Sequence, residues 1–438
     1  MKRALFLAML MTVPIQLLSQ QFVEISLEEV LQRVQRSNTE IGLSSKQAEL
    51  ADHELRYSNS VFLPSLSVSH TAMATTNPLM AFGFKLNQEI LTQTDFDPVM
   101  LNDPESISSF VTEISLEQPL VNLDGFQKRR AGKIMAEAME LQSYRTRERL
   151  DYEAEMAYGQ LQLAHKTVEV LEKARKAARE NLGLARDRFE RGLLNRAELL
   201  EAKVRLSTLE NQLDSAISQV GNASDGLGFL MGAPMGQIYW PTEELRPWQL
   251  ESSAGEPMEP RADLRAMELL KEAQFALLKA ERMSFLPRLN AFAGYQLHDS
   301  QIFRGRGKGY LIGASLSWDV FKGGQRHANL GKSRTNYEKA KLEQQQYLAN
   351  STMELQRVHR LVQDARQKQE SSKLAMEQSG EALRIRMDRF AEGLERTTDL
   401  LMSEALHAKS QLEHYRAILQ YNQARSLLKF LNTSMIEP

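Results

Sequence analysis

The stretch Asp187-Arg-Phe-Glu-Arg-Gly-Leu-Leu-Asn-Arg-Ala-Glu-Leu-Leu200 recurs, without a gap, as Asp388-Arg-Phe-Ala-Glu-Gly-Leu-Glu-Arg-Thr-Thr-Asp-Leu-Leu401. The offset is 201 residues, seven positions are identical, and Glu198 faces Asp399. Self-similarity at a fixed offset is the mark of a duplicated unit. Working outward, Phe62-Leu-Pro-Ser-Leu66 has its counterpart in Phe285-Leu-Pro-Arg-Leu289, and Ser115-Leu116 in Ser315-Leu316. Each Ser-Leu pair leads within ten residues to a glycine that opens a long segment free of proline.

Proline placement sets the frame. After the first 20 residues it occurs at 64, 78, 98, 104, 119, 234, 241, 247, 257, 260, 287 and 438, so 120–233 and 288–437 contain none. Helix interiors exclude proline. In the first of these segments Leu150, Ala157, Ala164, Leu171, Ala178 and Ala185 interleave with Ala154, Leu161, Val168, Arg175, Leu182 and Phe189. Eleven of these twelve positions are apolar at alternating spacings of 4 and 3, a heptad seam that packs helices in a left-handed supercoil. A helix over 125–190 would run ~100 Å at 1.5 Å per residue. The second segment, 324–391, carries a thinner seam through Leu355, Val358, Val362, Ala365, Met376, Leu383 and Phe390, with the small Ser351, Ser372 and Ser379 between.

The expected order follows. Residues 1–20 read as a signal peptide, with Lys2 and Arg3 ahead of an apolar run. Repeat 1, 21–231, holds a helix over about 26–61, a strand pair over 65–119, the long helix 125–190, a tip turn at 191–195 and a helix over 195–231. Residues 232–260, with five prolines, join it to repeat 2 at 261–438. That repeat holds a helix, a strand pair over 287–321, the long helix 324–391, a tip turn at 392–396 and a helix over 397–431. Gly192 and Gly393 supply the turns, because glycine is favoured just past a helix C-terminus. The fold class is mainly α with a small β part.

The strands alternate. Tyr310, Ile312, Ala314, Leu316 and Trp318 share one face, with Gly313, Ser315, Ser317 and Asp319 on the other. An apolar face with an aromatic at each end is what a membrane-barrel strand shows to lipid, so Tyr310 and Trp318 are candidate lipid-facing aromatics. Phe110, Thr112, Ile114 and Leu116 oppose Glu113, Ser115 and Glu117 in the same way. Four strands cannot close a barrel, and an open edge is not tolerated in lipid. Either other chains supply the missing strands or the sheet is not a barrel. The connection over roughly 74–109, with Asn77-Pro, Asp97-Pro and Asp103-Pro, reads as a long turn-rich loop facing outside.

Composition excludes several classes. The net charge is −2, from 54 basic and 56 acidic residues, so bulk charge does not point to nucleic acid. The absence of cysteine excludes disulfides, thiolate metal sites and a cysteine-borne lipid anchor. His407 and His414 are seven apart, the wrong spacing for a helical zinc pair. No nucleophile–base pair or phosphate loop stands out, so the expectation is no enzyme, no cofactor and no metal. Arg304-Gly-Arg-Gly-Lys308 reads as a solvated loop.

The paired Phe-Leu-Pro motifs, Gln118-Pro-Leu-Val-Asn-Leu-Asp-Gly125, Val320-Phe-Lys-Gly-Gly-Gln-Arg326 and the two Gly-Leu turns resemble the TolC family of outer membrane efflux proteins over about 22–438. The resemblance implies a homotrimer with a 12-stranded outer membrane barrel and a helical tunnel through the periplasm. It implies docking onto a periplasmic adaptor and an inner-membrane transporter of the RND, ABC or MFS type, with passive conduction and no chemistry. Arg191-Gly192-Leu193 and Glu392-Gly393-Leu394 match the adaptor-docking turns, with Arg191 and Glu392 where many members carry Val. Glu198 and Asp399 match acids that ring the periplasmic aperture; in a trimer they would place six carboxylates near one constriction. Glu395 stands where well-known members have a basic residue. The same acids also suit plain helix starts, Asn195 and Glu198 resembling a capping box. Two other classes remain: a structural coiled-coil envelope protein without a pore, and the periplasmic adaptor itself.

Overall fold

The computed structural model describes residues 22–248 and 261–433. The expected signal peptide, residues 249–260 of the expected linker and the last five residues lie outside these. In order the elements are β1 (Phe22–Ile25), α1 (Leu27–Ser37), α2 (Thr39–Ser58), β2 (Ser65–Thr75), α3 (Pro78–Asn87), α4 (Pro98–Asn102), β3 (Ile107–Val121), α5 (Leu123–Glu190) and α6 (Arg196–Leu230). There follow β4 (Ile238–Pro241), α7 (Ala262–Met283), β5 (Arg288–Asp299), β6 (Gly307–Ser317), α8 (Gln325–Ala391) and α9 (Thr397–Asn432). Two helices therefore reach 68 and 67 residues. Among the described residues no helix is long and apolar enough to cross a membrane.

Packing divides the chain into two units, each drawing on both halves of the sequence. The first takes residues up to 42, 146–259 and 352–436. Its core gathers Ile25, Val30, Val34, Leu150, Tyr158, Leu161, Leu227 and Tyr239. β1 and β4 pair in parallel, Phe22 with Ile238 through Ile25 with Pro241. The α5 seam is buried at Leu150, Ala154, Leu161, Leu171, Ala178 and Ala185, with Leu171 and Ala178 packed against Leu209, Leu213 and Ala216 of α6. Phe189, the last seam position, is exposed, unlike its counterpart Phe390 in α8. The thin α8 seam keeps its register: Val358, Ala365, Ser379 and Phe390 are buried, and Leu355, Val362, Ser372, Met376 and Leu383 half-buried. Two of its serines face histidines of α9. Ser372 Oγ lies 3.2 Å from His414 Nδ1, and Ser379 Oγ 3.2 Å from His407 Nδ1. Burial pushes both imidazoles below their ordinary pKa.

The first helix does not run unbroken over 26–61. Asn38 stops it: its Oδ1 accepts from Glu40 N (2.8 Å) and Ile41 N (3.3 Å), and its Nδ2 donates to Leu230 O (2.8 Å). A side chain that caps the next turn competes with helix continuation. Chain 232–260, expected as linker, also contains a strand, β4.

The second unit takes 43–145 and 260–351. It holds an antiparallel sheet in the order β2-β3-β5-β6, with β2 and β6 at the edges. Leu66, Leu116, Ala293 and Ile312 form one row across the sheet, and Val68, Ile114, Tyr295 and Tyr310 another. On the opposite face Ser67 pairs with Ser115, their hydroxyls 2.6 Å apart. β3 runs on to Val121 by tolerating Pro119 at a register shift, the place within a sheet where proline fits. β6 stops at Ser317, so Trp318 is not a strand residue. The turn-rich loop contains two α-helices and a 3-10 turn over Gln93–Phe96 instead. Asn77 caps α3 ahead of Pro78 and Asp97 caps α4 ahead of Pro98, the cap-plus-proline arrangement that starts helices.

Candidate functional site

The two tips are built alike. α5 ends with Gly192 N–H bonded to Phe189 O and Leu193 N–H to Arg188 O, both at 2.9 Å. α8 ends with Gly393 N–H on Phe390 O (3.0 Å) and Leu394 N–H on Arg389 O (2.9 Å). This double bond pattern needs a left-handed residue, and Gly192 (φ +73°) and Gly393 (φ +80°) provide it. Leu193 is 74% and Leu394 62% exposed, and Arg191 and Glu392 are exposed beside them. Each turn thus presents an apolar knob next to a charge.

The aperture candidates sit in the first turns of the following helices. Asn195 Oδ1 accepts from Glu198 N at 2.9 Å, and Asn195 Nδ2 donates to Glu198 Oε1 at 2.9 Å. The reciprocal bond therefore uses the Asn195 side-chain amide, where a capping box uses the backbone N–H. Asp399, half-buried, occupies the first turn of α9, where the helix dipole favours a negative charge. The two hairpins meet here: Leu199 and Ala202 of α6 pack with Ala185 and Leu401.

Three links were not legible in the sequence. Arg188 of α5 donates to Phe390 O at 2.9 Å and lies 4.1 Å from the centre of the Phe390 ring, tying one hairpin end to the other. Glu395 accepts from Arg386 (2.8 Å) and Arg389 (2.9 Å), so the residue that departs from the family pattern braces its own turn. Buried Glu404 of α9 accepts from Asn181 Nδ2 of α5. Burial raises its pKa, with the Asn181 bond and the Arg205 charge acting against the rise. Arg205 is itself pushed down by burial, and its Nε has no partner among the described residues. Among the described residues no three His, Asp or Glu side chains come together as metal ligands.

The strand candidates lie in the other unit. Tyr310 is 79% exposed on the apolar face. Trp318, 60% exposed, donates its Nε1–H to Phe285 O at 2.9 Å, which fixes the ring beside the second Phe-Leu-Pro motif. Leu66, Val68, Ile114, Leu116, Ile312 and Leu316 are exposed as well. A contiguous apolar patch of this kind marks an interaction surface.

Several known proteins are similar to this chain. Proteases secretion protein PrtF of Dickeya chrysanthemi is 21% identical over 417 residues, 91% of this chain and 86% of its own. Alkaline protease secretion protein AprF of Pseudomonas aeruginosa is 22% identical over 338 residues, 74% of this chain and 69% of its own. The CmeC outer membrane channel of Campylobacter jejuni has the same fold, with a TM-score of 0.80 at 16% identity over 92% of this chain and 85% of that one. The family described as outer membrane efflux protein matches residues 30–233 and 257–432. With a match of that extent on both repeats, the chain belongs to the outer membrane efflux protein family.

Proposed function

We propose that three copies of this chain close a 12-stranded barrel in the outer membrane and form a helical periplasmic tunnel that passively conducts substrates outward. The observation that carries this reading is the sheet: four strands, one exposed apolar face, and edges at β2 and β6 that are unpaired among the described residues. In lipid those edges must find partners, and three fours make the twelve strands of a closed barrel. Exposed Leu43, Leu50 and Tyr57 on α2, seven residues apart, support helix packing between copies as well. The chain does no chemistry and uses no cofactor; its role is to be a conduit.

In this reading the knobs Leu193 and Leu394, with Arg191 and Glu392, dock a periplasmic adaptor, and an inner-membrane transporter of the RND, ABC or MFS type supplies the driving force. Glu198 and Asp399 line the aperture, and Tyr310 and Trp318 face lipid. The protease-secretion names of two relatives support keeping polypeptide secretion beside small-molecule efflux. The test is to purify the protein from outer membranes and record currents in planar bilayers. The reading expects discrete channels favouring cations, and Glu198→Ala with Asp399→Ala should weaken that preference. A soluble protein with no current rejects the channel; channels whose selectivity ignores both substitutions leave the acids only as first-turn charges that suit the helix dipole.

A further inference from the structure

The strand pairs differ most at the ends remote from the long helices. β5 and β6 are joined by seven residues, 300–306, whereas β2 and β3 are joined by 31, 76–106. The longer connection is a small fold of its own. Phe82 packs edge-on against Phe96 at 5.7 Å. Lys85 pairs with Asp95 at 2.7 Å, and Asp95 also accepts from Thr92 N at 2.7 Å. These bonds, that from Lys85 first, hold the Asp95 carboxyl down at about 2.

The end of α3 is seated on the polar face of the sheet. Gln88 is fully buried, and its Nε2 donates to Ser108 O at 2.9 Å. Ser109, on the same face as Glu113 and Ser115, is also fully buried. The Asn87 carbonyl lies over Gly307 so closely that a Cβ there would stand 1.9 Å from it. No residue but glycine at 307 leaves room for the segment. The chain then leaves α3 through Glu89 in a left-handed conformation (φ +56°) without glycine's freedom, a strain that persists only where the surroundings hold it. Between this segment and the sheet is a cavity of about 450 Å³, bordered by Asn87 and Glu89 above and by Glu113, Glu117, Gln296 and His298 below.

We infer that residues 76–106 form a folded lid over the outer mouth of the channel, seated through Gln88 on Ser108 and on the bare backbone of Gly307. The inference rests on the reading above, in which the polar face of the sheet lines the lumen. The seat is reversible by construction: Gln88 Oε1 and Ser109 Oγ are buried with no partner among the described residues, and lifting the lid would hydrate both. The lid would thus restrict the outer end independently of the tip acids.

The chain has no cysteine, so Glu113→Cys places a single thiol beneath the lid. Its reaction with a bulky, membrane-impermeant maleimide would be timed on intact cells in three backgrounds: otherwise unchanged, with Gln88→Ala, and with residues 78–102 replaced by a short Gly-Ser linker. Only forms that remain assembled in detergent are compared. The lid predicts slow labelling in the first and several-fold faster labelling in the other two. Equal rates with and without residues 78–102 overturn the lid. Faster labelling on excision but not with Gln88→Ala overturns the seat at Gln88. If the excised form labels only after the outer membrane is permeabilised, the polar face does not open outward, and the channel reading fails together with the lid.

Discussion

Arg188→Ala is the sharpest test of the tip. Its guanidinium joins the two hairpins through one hydrogen bond, to Phe390 O at 2.9 Å, and one ring contact at 4.1 Å. A hydrogen bond from a charged donor contributes about 1.5–3 kcal/mol, and a partly exposed cation–π contact about 0.5–1 kcal/mol. Arg188 is half-buried, so the lower ends apply, giving about 2 kcal/mol per chain. At 1.4 kcal/mol per decade that is about a 30-fold shift between joined and separated hairpins. Glu395, Arg386 and Arg389 remain to brace their own turn, so the turn itself survives the change. If separation of the hairpins widens the tunnel mouth, single-channel records of Arg188→Ala should show larger mean current and longer openings than the parent protein. Arg188→Lys, which keeps the charge over the ring, should fall between. An assembled Arg188→Ala channel with the parent's conductance and open time would refute the idea that this link restrains the mouth.

Other outcomes follow from the same geometry. Glu404 has a raised pKa through burial; such a carboxyl stabilises the fold below its ordinary value, and the contribution is lost as pH rises through the raised one. Glu404→Gln should therefore flatten the pH dependence of heat stability above the usual carboxylate range, and an unchanged slope would contradict the assignment. Asp263 accepts from Arg261 Nε at 3.0 Å and from Tyr347 Oη at 2.6 Å in a buried cluster with Arg145. Burial alone would raise its pKa, but the Arg261 and Tyr347 bonds with the Arg145 charge leave it lowered. Asp263→Ala strands buried guanidinium charge, a loss of about 3–5 kcal/mol, to be seen as poor assembly or a lower unfolding midpoint. Leu50→Glu, on the exposed α2 stripe, should leave the chain folded by circular dichroism yet shift it from trimer to monomer.

What the sequence revealed is what repeats or is periodic. The α5 seam from Leu150 to Ala185 and the glycines of both tips depend on residues close in sequence, and a heptad count or a Gly-Leu pair suffices to read them. The α8 seam looked thin because Ser372 and Ser379 interrupt it; their histidine partners lie 42 and 28 residues on, beyond any local window. The β1–β4 pair escaped for a similar reason, being four residues long and joined across most of repeat 1. Asn77-Pro78 and Asp97-Pro98 carried a true signal read the wrong way, since the same dipeptides open turns and helices. Of the tip, Asn195 and Glu198 were visible as neighbours, whereas Arg188–Phe390 and Asn181–Glu404 join different repeats and needed the fold. Glu395 was noticed as a departure; that Arg386 and Arg389 bracket it was the signal that would have placed it.

The number of chains in the particle tests the whole account most directly. Native mass spectrometry of the protein extracted from outer membranes should give three times the mass of one chain, with no stable folded monomer after mild heating. A dominant single-chain species that stays folded in detergent, its β2 and β6 edges needing no partner, would contradict it.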